Sequence, residues 1–417
     1  MGRGLTVAGT VKRAACCAVC FSVLAAWAMA GPPAPGIVNI HVQERTGIRR
    51  FGYPANARVP FPQGALPDAA HARLLLNHVE VPAQYNAEST WPDGSVEWLW
   101  VDFNVSFGPH EQAVYQLEYG GEVGRGITPQ PWPLTETAEA IQVGDMRFSK
   151  SGAPLLLSVK YRAEAIREGT NGLFASERVG ETQEAIKVVS TNFRILRSGP
   201  LYVVFRYSGR ARWGGGAPLP FTLTIELPRS KSWWKGTAVL EDPAAKVREI
   251  SFHTPLALGP YPWIWDFGIG SWTYGTLQNR TDSVLLTQSV APPNKSQWEI
   301  RSGEKGHERP YETTGGSRPP VAEGWGHVQN QKEAVAFAVE GFGRQEGTYT
   351  IALDGDGQAA FTFAPARPLT RHQLTIYEHF VAPPAAIGAA TSPVSMLNPL
   401  TVFCEREQYL KSRLPPP

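Results

Sequence analysis

An all-β architecture is the fold class this sequence predicts. Two observations carry the prediction. Apolar and polar residues alternate with period two along many short segments, and no stretch holds a helical period for three turns. The chain's 41 Gly and 36 Pro are spread along its length as turn punctuation, which an α/β or bundle assignment would have to ignore.

Taken in order, the first thirty residues read as an export leader outside the fold. Arg3, Lys12 and Arg13 precede an apolar run from Ala14 to Trp27, and Ala28-Met29-Ala30 supplies a small-x-small cleavage site. The run is shorter than the ~20 residues a membrane crossing needs, so no membrane span is expected in the mature chain. Cys16, Cys17 and Cys20 lie in the leader, so only Cys404 remains and no internal disulfide can form. The expected location is periplasmic or extracellular. Removing the three leader cations from 39 Lys+Arg leaves 36 against 37 Asp+Glu, near −1, with no clustered basic face; nucleic-acid binding is set aside.

The strands follow. Ala113 to Tyr119, Leu201 to Ser208, Thr348 to Leu353 and Gln373 to Tyr377 alternate, and Phe221, Leu223, Ile225 and Leu227 do so most cleanly against Thr222, Thr224 and Glu226. Glycine and proline between Gly120 and Pro133 mark a boundary, after which strands resume near Ile141. Asp354-Gly355-Asp356-Gly357 reads as a hairpin turn, with calcium ligation as the alternative. A second break falls at Ala382-Pro383-Pro384, and the chain closes on Pro415-Pro416-Pro417.

Three segments arrive together near the start: Val59-Pro60-Phe61-Pro62-Gln63-Gly64-Ala65-Leu66, Val81-Pro82-Ala83-Gln84, and Trp91-Pro92-Asp93-Gly94-Ser95 with Trp98 three residues later. In this the chain resembles the exo-rhamnogalacturonan lyase and YetA-like family. Ser198-Gly199-Pro200-Leu201 with Arg206, Leu240-Glu241-Asp242-Pro243, Ala322-Glu323-Gly324-Trp325 and Leu369-Thr370-Arg371-His372 extend the resemblance over roughly residues 40 to 410. It implies a small N-terminal β-barrel over 36–125, a large antiparallel β-sandwich over 130–383 and a short tail over 384–417. Family members continue from a segment like Asn398-Pro399-Leu400 into a helical α/α toroid, and the sugar cleft lies between toroid and sandwich. The resemblance therefore implies that part of a lyase active site is absent here.

Catalytic residues are not assigned. A lyase needs a base and a group neutralising the uronate carboxylate, and His372 and His379 fall on opposite faces of one strand. His253, His307 and His327 stand isolated, with no zinc spacing; no metal or cofactor is expected. Candidate sugar-binding residues are Trp263, Trp265, Trp272 and Tyr274, clustered around Asp266, together with Arg371 and His372. Core packing is the competing use of these aromatics, and of Trp233-Trp234, of which alternation admits one to a given core. Trp91, Pro92, Asp93, Gly94, Ser95 and Trp98 read as a structural signature, a tight turn leading into a strand.

Three functions follow as expectations: binding of an acidic polysaccharide, β-elimination on one with or without a separate toroid, and a periplasmic scaffold. Residues 386–417 are expected to be the least rigid part, removable with little loss of stability, and the contact for a protein partner.

Overall fold

The computed structural model describes residues 35–161, 163–180, 183–213, 216–270, 273–291, 295–315, 320–381 and 393–414. The leader, Trp272, the break at Ala382-Pro383-Pro384 and the closing prolines lie outside the described residues. Within them the chain is almost entirely antiparallel β, as alternation and punctuation predict. The helical elements are a 3-10 turn at Ala69–His71 and the short helices Val394–Leu397 and Arg406–Ser412. None of the described helices is long and apolar enough to cross a membrane.

Two sheets form the N-terminal barrel. One carries Gly36–Gln43, Ala72–Leu76, Val79–Glu80 and Gln112–Tyr119; the other pairs Arg50–Pro60 and Ala83–Thr90 with the long strand Val96–Phe107. Their inward residues, among them Ile40, Val59, Phe61, Leu74, Leu99, Val101 and Leu117, make one closed core. The first and third signature segments meet at its end. Asp93 Oδ1 accepts from the Ser95 backbone at 3.0 Å and hydroxyl at 2.6 Å, and Gly94 turns at φ +87°. Ser95 Oγ then accepts from Gly64 N, and Trp91 Nε1 donates to Phe61 O.

The sandwich faces a nine-stranded sheet with an eight-stranded one. From edge to edge the larger sheet runs Lys187–Arg197, Tyr202–Arg212, Leu219–Pro228, Trp233–Glu241, Arg371–Val381, Ala334–Val339, Trp325–Gln329, Trp263–Phe267 and Tyr274–Leu277. Phe221, Leu223, Ile225 and Leu227 all point inward and are buried. A five-stranded sheet beginning at Leu134–Glu136 adds Ile141, Val143 and Phe148 to the same core, where Phe148 meets Phe205 and Trp234 edge-on. Each such fully buried large side chain is stabilised by ~1.5–3 kcal/mol of transfer free energy. Asp354 and Asp356 lie at the turn joining Gly347–Asp354 to Gln358–Pro365 and pair with Lys305 and Arg280.

The C-terminal segment corrects an expectation. Far from a loosely docked tail, Thr401–Cys404 pairs with Gly36–Gln43 as an edge strand of the barrel. Leu400, Cys404 and Tyr409 enter the barrel core, while Met396 packs with Trp233, Trp325 and Tyr377 on the outer face of the sandwich. Arg50, buried, donates to the carbonyls of Ser395 at 3.0 Å and Asn398 at 2.5 Å, and Tyr53 OH donates to Ser395 O at 2.7 Å. Arg50 in turn pairs with Glu44 at 3.2 Å. Burial would raise the Glu44 carboxyl, but the Thr46 hydroxyl and amide, the His110 amide and Arg50 together outweigh it and hold the group at about 2. Cys404, the one cysteine among the described residues, is a free, buried thiol, pushed by burial to about 12.

Candidate functional site

The aromatic stretch that stood out in the sequence divides by strand parity. In Trp263–Phe267 the odd residues Trp263, Trp265 and Phe267 point into the sandwich and are buried, while Ile264 and Asp266 point outward. Trp263 Nε1 donates to Gly259 O at 2.7 Å, and its ring stacks on Tyr261. Trp265 lies across Gly275, where a Cβ would sit 2.2 Å from the indole. Neither indole is presented to a ligand. Tyr274 is 62% exposed on the edge strand, and Tyr311 OH donates to its carbonyl.

Arg371 and His372 separate in the same way. Arg371 is exposed and pairs with Glu241 at 3.1 Å. His372 turns inward, fully buried, with Nε2 4.0 Å from Asp242 Oδ2 and no hydrogen bond to either ring nitrogen among the described residues. Burial lowers its pKa, opposed by the Asp242 charge and by the Leu369 backbone. The two motifs around these residues lock each other: Asp242 N donates to Thr370 O, and Asp242 Oδ2 accepts from Val247 N.

Register assembles what sequence spacing could not. One row crosses six strands of the outer face: Trp233, His379, Ala336, His327, Asp266 and Tyr274 are successive cross-strand partners. Asp266 Oδ1 accepts from His327 N and faces His327 Nδ1, both at 2.9 Å. A carboxylate oxygen accepts, so Nδ1 is the donor in this contact. The ring's Nε2 is buried and unpartnered among the described residues, beside the edge of Trp325.

Where barrel meets sandwich, two further motifs close a clasp. Gln84 Oε1 accepts from Leu201 N and Tyr202 N, both at 2.9 Å, and its Nε2 donates to Tyr202 O and to Asp102. A Cβ on Gly199 would lie 2.4 Å from the Gln84 side chain, so the glycine permits this approach. Asp102 also accepts from Asn56 at 2.6 Å and Arg197 at 2.5 Å, with the Arg197 guanidinium over Trp100. Burial raises Asp102 to about 6 despite the Arg197 charge. The clasp has the makeup of a structural joint, all of its groups being occupied.

A groove of 1270 Å³ opens beside it, between the barrel and the C-terminal segment. Arg58, Trp100, Phe403, Arg406, Leu410 and Arg413 line it. Arg58 is paired with Glu88, and Glu405 with His41. Arg406 and Arg413 are exposed with no side-chain partner among the described residues, and Leu410 and Phe403 expose apolar surface between them. Neither arginine stood out in the sequence, because each is a single cation in a short mixed-charge segment.

No family model matches this chain, and no curated protein matches it. Solved structures similar to it include a galactose mutarotase-like protein from Lactobacillus casei ATCC 334, 12% identical, covering 60% of this chain and 100% of that one at a TM-score of 0.33. An α-galactosidase from Lactobacillus brevis is 9% identical over 60% of this chain and 39% of its own, TM-score 0.29. A TPR-domain containing protein from Parabacteroides distasonis ATCC 8503 is 8% identical over 93% of this chain and 64% of its own, TM-score 0.34. At such scores these likenesses carry no argument about activity, and no rhamnogalacturonan lyase family is shown.

Proposed function

We propose that this chain is an exported carbohydrate-binding protein that engages an acidic, uronate-containing polysaccharide along the groove between the barrel and its C-terminal strand and helix. The observation supporting the reading is the pairing, in one open groove, of two arginines unpartnered among the described residues with apolar and aromatic surface. Uronate chains present carboxylates at intervals and C–H faces between them; guanidinium forks suit the first, and Trp100, Phe403 and Leu410 suit the second. Electrophoresis through a gel containing polygalacturonate tests the reading against a gel containing neutral galactan. Retardation in the acidic gel alone, weakening as salt is added, is expected; equal mobility in both gels would remove it.

A second reading, β-elimination, rests on the Asp266–His327 pair. A carboxylate that fixes the imidazole tautomer leaves Nε2 as a base of the type α-proton abstraction needs. Incubating the protein with uronate polymers tests it, since each elimination creates an unsaturated uronate that absorbs in the near ultraviolet. An absorbance rise lost in His327→Gln would support a lyase; no rise on any uronate polymer would leave the pair as a buried structural contact.

A further inference from the structure

A second concavity, smaller and deeper in character, lies where the five-stranded sheet meets the loop before Trp233. It measures 260 Å³, just under the ~300–1,000 Å³ typical of ligand pockets, a size for one ring rather than a chain. Its wall is built by local turn chemistry. Gly144-Asp145 forms the two-residue link between Ala140–Val143 and Met146–Ser149, with Gly144 at φ +54°. A Cβ there would lie 2.8 Å from Trp132 Nε1, so the glycine serves both the turn and the close seat of the indole.

Opposite stands Arg229-Ser230-Lys231-Ser232, leading into Trp233. Lys231 Nζ donates one bond, to Phe51 O at 2.6 Å, which leaves two N–H groups. Arg229 uses Nη1 on Gln130 O and Pro200 O, leaving Nε and Nη2. Ser230 Oγ is a buried atom with no partner among the described residues, and Ser232 Oγ is taken by Phe380 O. Asp145 is exposed at the rim, its carboxylate without a partner among the described residues. The pocket thus offers two cations with spare donors, an indole and one carboxylate acceptor.

We infer that this pocket binds a single uronic acid, its carboxylate between Arg229 and Lys231, its ring against Trp132, and a ring hydroxyl on Asp145. The cations alone would suit any small anion. The indole and the carboxylate acceptor favour a ring with several hydroxyls, since sulfate has no proton for Asp145 to accept and phosphate has only one or two P–O–H groups and no apolar face for the indole. The position is favourable for a carboxylate on charge grounds as well. Lys231 is half-buried and feels Arg50, and both effects lower its pKa; an incoming anion relieves them.

The inference shares the ligand chemistry of the proposed function but none of the groove residues, so each can fail alone. The test is titration of the full chain with sodium galacturonate, galactose and inorganic phosphate, followed by calorimetry and tryptophan fluorescence. Galacturonate should bind and perturb fluorescence, with galactose and phosphate at least tenfold weaker. Lys231→Met and Trp132→Ala should each weaken galacturonate at least tenfold, while Tyr274→Ala, exposed and outside both surfaces, leaves it unchanged. Absence of galacturonate binding, equal binding of galactose or phosphate, or wild-type affinity in both pocket variants with native melting curves would overturn it. Because Lys231 also bonds to the barrel, Trp132→Ala keeps the test decisive if Lys231→Met destabilises the protein.

Discussion

The strand Trp263–Phe267 and the C-terminal strand and helix invert what composition alone says about them. The aromatic strand holds the densest aromatic cluster in the chain and puts its indoles into the sandwich core. The C-terminal segment has the composition of a remnant, yet it completes the barrel and presents Arg406, Leu410 and Arg413 to solvent. A strand's parity decides exposure, and the sandwich core uses every inward aromatic it is given. A short segment that closes a barrel edge has its inward side fixed by the core, so its outward side is free to carry recognition chemistry.

The largest effect should come from removing residues 393–417. That deletion uncovers the edge of Gly36–Gln43, empties the sites of Leu400, Cys404 and Tyr409, and leaves the buried Arg50 without two of its acceptors. A loss above ~5 kcal/mol in urea unfolding is expected, from cavity formation and a stranded buried charge. An unchanged melting temperature would restore the view of this segment as a loose tail.

Next in size is Trp265→Ala, which should cost ~3–5 kcal/mol as a core truncation while leaving polygalacturonate retardation intact at a temperature where the variant is folded. Loss of retardation in a folded variant would move the binding site to the aromatic strand and break the comparison.

Third is Glu378, a carboxyl fully buried in the sandwich next to Trp234 in register. Burial pushes it to about 7; Thr254 and Trp234 act in the opposite direction, but no hydrogen bond is closed to either oxygen. Its value is raised on folding, so between about 4.5 and about 7 the native state holds a proton that the unfolded chain has released. Stability therefore falls as pH rises through that window, by ~3 kcal/mol in total, and the loss stays constant above it. Glu378→Gln should flatten this part of the stability–pH curve; an unchanged slope would show that the carboxyl is paired. Asp102, with its carboxyl bound by three donors, is the partnered counterpart of this group, and the same measurement on Asp102→Asn should show a clear loss of stability.

Much of the fold was legible because alternation is a local property. Leu219–Pro228 and Gln112–Tyr119 could be read from their own residues. What could not be read was long-range register. The row from Trp233 to Tyr274 draws single residues from six strands, and His327 is isolated in the sequence until Asp266 is placed opposite it. The C-terminal segment failed for the same reason: Leu400 and Cys404 announce burial, but the strand that pairs with Thr401–Cys404 is Gly36–Gln43, at the other end of the chain. The clasp was half visible, since Gln84 and Gly199 each sit in segments that stood out, while Asp102 and Arg197 did not.

The smallest stability effects belong to the outward residues. Tyr274→Ala should change stability by no more than ~0.5 kcal/mol and leave retardation by polygalacturonate unaltered.

Polysaccharide binding in the groove is tested most directly by the double substitution Arg406→Glu/Arg413→Glu. Both side chains are exposed and unpartnered among the described residues, so the melting temperature should match that of the unsubstituted protein. In a polygalacturonate gel at low salt the unsubstituted protein should be retarded and the variant should run as it does in a neutral gel. Equal retardation of the two proteins would contradict the account.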